Sequence, residues 1–451
     1  MRTDLGGRMG RRQRIAIVGA GISGLSAAWL LSFAHDVTVF EADDRIGGHS
    51  NTVEIEARGR RIAVDTGFIV YNEPCYPNLT ALFSLLGVPT APTDMSFAVS
   101  LDAGRVEYAG SDLGGLLAQK SNLLRPRFWS MLRELLRFYR EAPRDYPHMG
   151  DESLGAYLDR RGFGAAFRED HLFPMAAAIW STPAAEVGDY PAAAFVRFCE
   201  NHGLLQFTER PQWRTVIGGS REYVRRLSAP FADRILTGTP IQRIERDAMG
   251  VTLFDARGVA RRFDQVVVAA HADRALAMLA EPSDEERRLL GAFRYSRNEA
   301  VLHGDAGLMP RRRAAWASWN YLSDGSGHER RLSVSYWMNR LQPIGPAPEL
   351  FVTLNPLRDI LEESVFARFD YEHPLFDSAT GRAQTELWSL QGLRRTWFCG
   401  AHFGAGFHED GLQAGLAVAE DLGGLRRPWR AKDESARIFR LSPQIPAEAA
   451  E

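Results

Sequence analysis

Lysine is nearly absent from this chain. Lys120 and Lys432 are the only two among 54 lysines and arginines, so any role for a lysine amine has two candidate positions. Cysteine is scarce as well: Cys75, Cys199 and Cys399 have neither metal-ligand spacing nor a paired framework, which fits a reducing cytoplasm. The net charge of −2 provides no global field to recruit nucleic acid. There is no internal repeat, no nucleophile elbow, no paired acid/base signature and no cluster that would hold a metal. What remains is 451 residues, 45% apolar and 24% charged, enough for two or three globular domains with a sizeable core.

The chain is organised around Ile15-Ala-Ile-Val-Gly19-Ala-Gly21-Ile22-Ser23-Gly24-Leu25. A short apolar strand runs into three spaced glycines and then a helical pattern, the arrangement that cradles a dinucleotide pyrophosphate. Gly19 allows the turn, Gly21 keeps a Cβ away from the phosphates, and Gly24 lets helix and strand pack closely. A second strand, Asp36 to Phe40, ends at Glu41, where a carboxylate suits a ribose hydroxyl pair. The uncharged run Ile15 to Ala34 is long enough to cross a membrane or to serve as an export signal. Either reading would sacrifice the glycine motif, which is the more specific signal. The basic leader before it is expected to be disordered.

Just beyond Glu41 comes Ala42-Asp-Asp-Arg45-Ile-Gly47-Gly48-His49. This doublet resembles the second glycine motif of the flavin amine oxidase, protoporphyrinogen oxidase and phytoene desaturase superfamily. The resemblance implies FAD, with Ala42, Arg45, Gly47, Gly48 and His49 beside its phosphates and ribityl chain. It carries over to Thr66, Gly67 and Phe68 near the isoalloxazine, Ile241 at the adenine, and Ala270 after a buried strand. The closing segment Thr396 to Glu420 resembles the family's last flavin-binding stretch, with Gly400, Asp410, Gly411 and Leu412 as cofactor contacts.

The expected fold is therefore α/β: a discontinuous Rossmann-type FAD-binding domain with a mixed α+β substrate domain built from two insertions. The FAD-binding parts are expected at 14–92, 213–271 and 388–424. The insertions are expected at 93–212, largely helical, and 272–387, largely sheet, with a tail at 425–451. Arg127 to Tyr139 has the apolar spacing of an amphipathic helix, decorated by Arg125, Arg127, Arg133, Arg137 and Arg140. Such a helix either lies on a membrane surface or covers a core with its charges in water, and the second is the commoner arrangement. The expected location is cytoplasmic, with peripheral contact at the inner membrane as the alternative.

A bound flavin brings its own redox chemistry, and the protein supplies position, dryness and electrostatics. Amine oxidases of the resembled superfamily commonly place a lysine near the flavin N5, and neither Lys120 nor Lys432 lies in a segment expected there. Phe407 occupies the place of a cage tyrosine, Asp410 stands where glycine is usual, and no cysteine occupies the covalent-flavin position. The words Gly47 to Thr52, Tyr336 to Gln342 and Gly406 to Leu412 resemble a narrower group of bacterial NAD/FAD-binding proteins, often encoded beside cyclopropane-fatty-acid-synthase-like methyltransferases. That resemblance implies an unsaturated or methyl-branched acyl lipid as substrate, desaturated or isomerised. Phe68, Tyr336, Trp337, Met338, His402 and Phe407 are the expected substrate wall. His408 or Glu409 is the candidate for proton transfer, against the plainer reading that these groups bond flavin or loop backbone. An amine oxidase and a non-catalytic flavin-binding partner of a lipid-modifying enzyme are the alternatives.

Overall fold

The computed structural model describes residues 12–440, except 58, 181–186, 207–209, 326–330, 346 and 433. The basic leader up to Arg11 and the end of the tail, from 441, lie outside the described residues.

Among the described residues, one compact unit comprises 12–48, 227–293 and 379–440. Its centre is a parallel five-stranded sheet in the order Ile235–Leu236, Asp36–Phe40, Arg14–Val18, Gln265–Val268, Thr396–Phe398. Ile15 pairs with Val37 on one side and Gln265 on the other. Ile15, Ile17, Val37, Val39, Val266 and Val267 have no exposed surface, which is why these strands read as continuous apolar runs rather than alternating ones. The helix Ile22–Leu31 is buried at every residue. Its lack of a polar face accounts for the hydropathy of the 15–34 run: the surroundings are protein, not lipid. Among the described residues no helix is long and apolar enough to cross a membrane.

The closing helix, His408–Gly423, lies against that first helix. Its approach depends on glycine, because a Cβ on Gly415 would collide with the Ser23 carbonyl oxygen and one on Gly411 would stand 2.8 Å from Ser23 Oγ. A three-stranded antiparallel sheet, Ile241–Asp247, Gly250–Asp255 and Ala260–Phe263, completes the unit together with two short helices at 272–290.

The other unit comprises 49–226 and 294–378. It holds a seven-stranded sheet whose inner strands include Arg331–Trp337 and Phe351–Leu354. A helical layer includes Pro126–Asp145, which buries Phe128, Met131, Leu135, Phe138 and Ala142 along one stripe. Here the division departs from the sequence-based one. Segments 49–92 and 213–226, expected with the nucleotide-binding part, group here with this second unit. Trp213–Val216 pairs with both Val70–Asn72 and Thr90–Thr93, and the Thr52–Asp65 hairpin is bonded through Asp65 to Ser220 and Gln342. Conversely, 272–293 joins the first unit, where Glu286 forms a buried ion pair with Arg246.

The tail expected at 425–451 is, up to 440, a strap on the first unit. Arg427 is buried and bonds Glu420 of the closing helix at 2.8 and 3.0 Å, and Trp429 stacks on Trp29 with ring centroids 5.9 Å apart. Composition alone, with its alanines and prolines, gives no hint of this anchoring.

Candidate cofactor and active site

The three glycines of the first motif differ in what they face. A Cβ on Gly19, whose φ is +105°, would stand 2.5 Å from the Ala269 oxygen, and one on Gly24 would collide with the Gly19 carbonyl oxygen. Both are therefore required by the chain itself. A Cβ on Gly21 would meet nothing within 4 Å. The bare Cα of Gly21 serves no packing need of the protein and faces open space at a helix N-terminus, whose first N–H groups lack intrahelical acceptors. That is the observation on which a dinucleotide fits.

The second motif closes on the first. Gly47 N donates to the Ala20 oxygen at 2.8 Å, and Gly48 has a φ of +56°. Glu41 accepts from Ala20 N at 2.7 Å and from Asp43 N at 3.0 Å, so its carboxylate braces the glycine loop. Its remaining lone pairs are available to a ribose hydroxyl. Arg45 donates to the Gly48 oxygen at 2.8 Å, while Ala42 is exposed. Ile22 and Ser23 are buried in the first helical turn. Ile241 begins the antiparallel sheet opposite Asp255, and Ala270 is half-buried just after Gln265–Val268.

The closing motif adds a second helix N-terminus beside the first. Asp410 accepts from Phe407 N at 2.7 Å and faces Arg437 of the strap at 3.3 Å. Gly411 and Leu412 are buried against the first helix. Glu409 is fully buried and accepts from Gln413 at 3.0 Å. Phe407 and His408 keep part of their surface accessible, yet desolvation of the His408 ring pushes its pKa down to about 3. His402 is buried beside Phe293, ring centroids 5.2 Å apart, and its Nε2 finds no hydrogen-bond partner. Burial, with a smaller push from His271, lowers its pKa to about 3. Gly400 opens the turn carrying it, and Gln384 holds that turn by donating to the His402 and Gly404 oxygens at 2.9 and 2.6 Å. Both imidazoles are therefore neutral at physiological pH.

In the second unit, Gly67 is pressed onto the His49 backbone, where a Cβ would collide with the His49 oxygen. Phe68 N donates to that same oxygen at 2.7 Å, so His49, Gly67 and Phe68 form one tight junction. Thr66 Oγ1 lies 2.7 Å from the Tyr371 hydroxyl, and His49 stacks on the Tyr371 ring. The expected wall of Tyr336, Trp337 and Met338 divides. Tyr336 packs edge-on to Trp319, whereas Trp337, the next residue along the strand, packs with Trp316 and donates to Glu349 at 2.6 Å. Successive strand residues face opposite sides, so these two cannot line one cavity. Met338 has no exposed surface.

Sequence reasoning missed the polar centre of this unit. Asp65 is buried and accepts from Thr52 Oγ1 at 2.6 Å, Ser220 N at 2.9 Å, Ser220 Oγ at 2.8 Å and Gln342 Nε2 at 2.8 Å. Burial nevertheless raises its pKa from 3.8 to about 6. The only trace in the sequence is an acidic residue ending an apolar strand.

Comparison with known proteins supplies the family context. The family model of flavin-containing amine oxidoreductases matches residues 22–302. A protein of Mycobacterium tuberculosis named as a flavin-containing monoamine oxidase, AofH, is 28% identical over 268 residues, 58% of this chain and 57% of that protein. The chain thus matches little more than half the length of that relative. Cyclohexylamine oxidase from Brevibacterium oxydans superposes with a TM-score of 0.65 at 17% identity, covering 91% of this chain and 99% of its own. A fatty acid isomerase from P. acnes that produces CLA superposes at 0.62 and 16% identity, covering 91% and 98%. At such identities the likeness is one of fold.

Proposed function

This chain belongs to the flavin-containing amine oxidoreductases, and from that premise we propose that it is an FAD-dependent oxidoreductase acting on an apolar, long-chain acyl substrate. The reaction is desaturation or double-bond isomerisation of an unsaturated, cyclopropane or methyl-branched chain. Bound FAD supplies the hydride acceptor; position and dryness come from the protein.

Gly21 and the first turn of Ile22–Leu31 bind the pyrophosphate, and Glu41 orients the ribose. The N-terminus of the closing helix offers its positive end to a developing negative charge. His402 and His408, both held neutral by burial, would add no positive charge to the closing motif.

The observation that carries the choice of substrate is the placement of the lysines. Lys120 and Lys432 are both exposed on the surface, so no lysine is buried at the cofactor motifs. The two carboxylates of the closing motif are bonded within the chain, Glu409 to Gln413 and Asp410 to Phe407 N and Arg437, and neither is set out as a counter-ion for an ammonium group. Amine oxidation is the second reading, favoured by the name of the M. tuberculosis relative. Incubation of the purified holoprotein with long-chain unsaturated acids and with primary amines, followed by chromatography of the products, tests the choice. New double bonds or shifted ones in the acyl chains support the proposal; aldehydes from the amines with unchanged acyl chains overturn it.

A further inference from the structure

The helix Pro126–Asp145 carries two stripes, only one of which covers a core. The outward stripe reads Trp129, Arg133, Leu136, Arg140, Arg144, at three- and four-residue spacing. Trp129 is 50% exposed and Leu136 48%. Before the helix, the turn Lys120–Leu124 adds Leu123, 44% exposed, and Leu124, 86% exposed. Trp129 Nε1 donates to the Leu123 oxygen at 2.9 Å, which ties the turn to the stripe. Single exposed leucines are ordinary, but a tryptophan joined to several leucines in one patch is not.

The charges on this face are of one sign. Lys120, Arg133, Arg140 and Arg144 have no carboxylate partner among the described residues. The acids of the helix are turned to other tasks: Glu134 accepts from Gly164 N at 2.7 Å, Glu141 meets Arg161 at 2.6 Å, and Asp145 accepts from the Tyr157 hydroxyl at 2.9 Å. At the foot of the helix a cleft of about 320 Å³ is lined by Val106, Leu124, Pro126, Phe128 and Met131, with Arg105, Arg125 and the paired Arg127 and Asp170.

We propose that this face docks on an anionic lipid surface. Leu124, Leu123 and Leu136 enter the boundary between headgroups and acyl chains, Trp129 sits at the headgroup level, and the unpaired cations meet lipid phosphates. A bilayer fits better than an acidic protein or a nucleic acid, because the cations are interleaved with aliphatic side chains and a single aromatic ring. The net charge of −2 makes the attraction local to this patch. The inference stands independently of which substrate the flavin site takes.

The test is co-sedimentation of the full-length holoprotein with vesicles of phosphatidylcholine alone and of phosphatidylcholine mixed with phosphatidylglycerol. Binding is expected to the mixed vesicles and to weaken with salt. Leu124→Ser with Trp129→Ser, and separately Arg133→Glu with Arg140→Glu, each reduce it by roughly tenfold or more. Met249→Ser, an exposed residue of the first unit, leaves binding unchanged. Retained flavin and an unchanged circular dichroism spectrum show that the variants are folded. Absence of binding to mixed vesicles, equal binding by the variants, or a patch that proves to be covered by a second copy of the chain overturns the proposal.

Discussion

A Cβ on Gly48 would stand 3.2 Å from the Cα of Gly21. The two glycine motifs, far apart in sequence, thus meet through bare backbone, and the open side of Gly21 is what they leave exposed. Gly21→Ala is therefore expected to fold normally, with a change in melting temperature of the apoprotein under about 2 °C, while lowering FAD affinity at least tenfold. Gly24→Ala collides with the Gly19 oxygen and should destabilise the apoprotein by roughly 2 kcal/mol or more. Thermal unfolding of the apoprotein and flavin titration separate the two. Equal loss of stability in both variants would contradict the account.

Asp65 gives the second unit an unusual pH dependence. Its pKa is raised to about 6 when folded, so between pH 4 and 6 the folded state holds a proton that the unfolded state has released. Stability from this group is present below pH 4 and declines as pH rises through 6, by on the order of 3 kcal/mol. Asp65→Asn should remove that decline, measured as urea midpoints across pH 4 to 8. A variant with the same slope as the parent would contradict it.

The buried imidazole of His402 acts in the opposite direction. Its folded pKa is lowered to about 3 from 6.5, so the unfolded state binds the extra proton over that window. Its contribution is complete above pH 6.5 and is lost as pH falls. His402→Asn is expected to flatten the acid limb of the stability curve between pH 6.5 and 4. The same neutrality predicts no ionisation of His402 in rate profiles above pH 5.

Much of the first unit was legible in the sequence because its signals are local. Continuous apolar runs such as Ile15 to Val18 and Gln265 to Val268 mark strands buried on both faces, and spaced glycines mark the turn between strand and helix. What was not legible depends on partners far apart in the chain. Asp65 meets Gln342 across 277 residues, and nothing around either residue announces the other. The strap after the closing helix reads as a tail because it lacks a periodic apolar pattern, while Arg427 and Trp429 do the holding.

The strap has a measurable weight. Arg427→Leu leaves Glu420 buried with Arg426 and Arg440 as its remaining partners. Loss of one member of a buried pair is expected to destabilise by about 3 kcal/mol. Because Arg437 of the same strap meets Asp410, the variant should also release flavin faster. Urea unfolding and flavin dissociation rates check both, and a change below about 1 kcal/mol would show that the strap is dispensable.

The most direct test of the central claim is anaerobic stopped-flow observation of the oxidised flavin band in the holoprotein. It is mixed in turn with long-chain unsaturated acids and with primary amines, and the acyl products are analysed from the same samples. Bleaching by the acyl compounds, or shifted double bonds without lasting bleaching, is expected, with no response to amines. Bleaching by amines alone, with the acyl chains recovered unchanged, would contradict it.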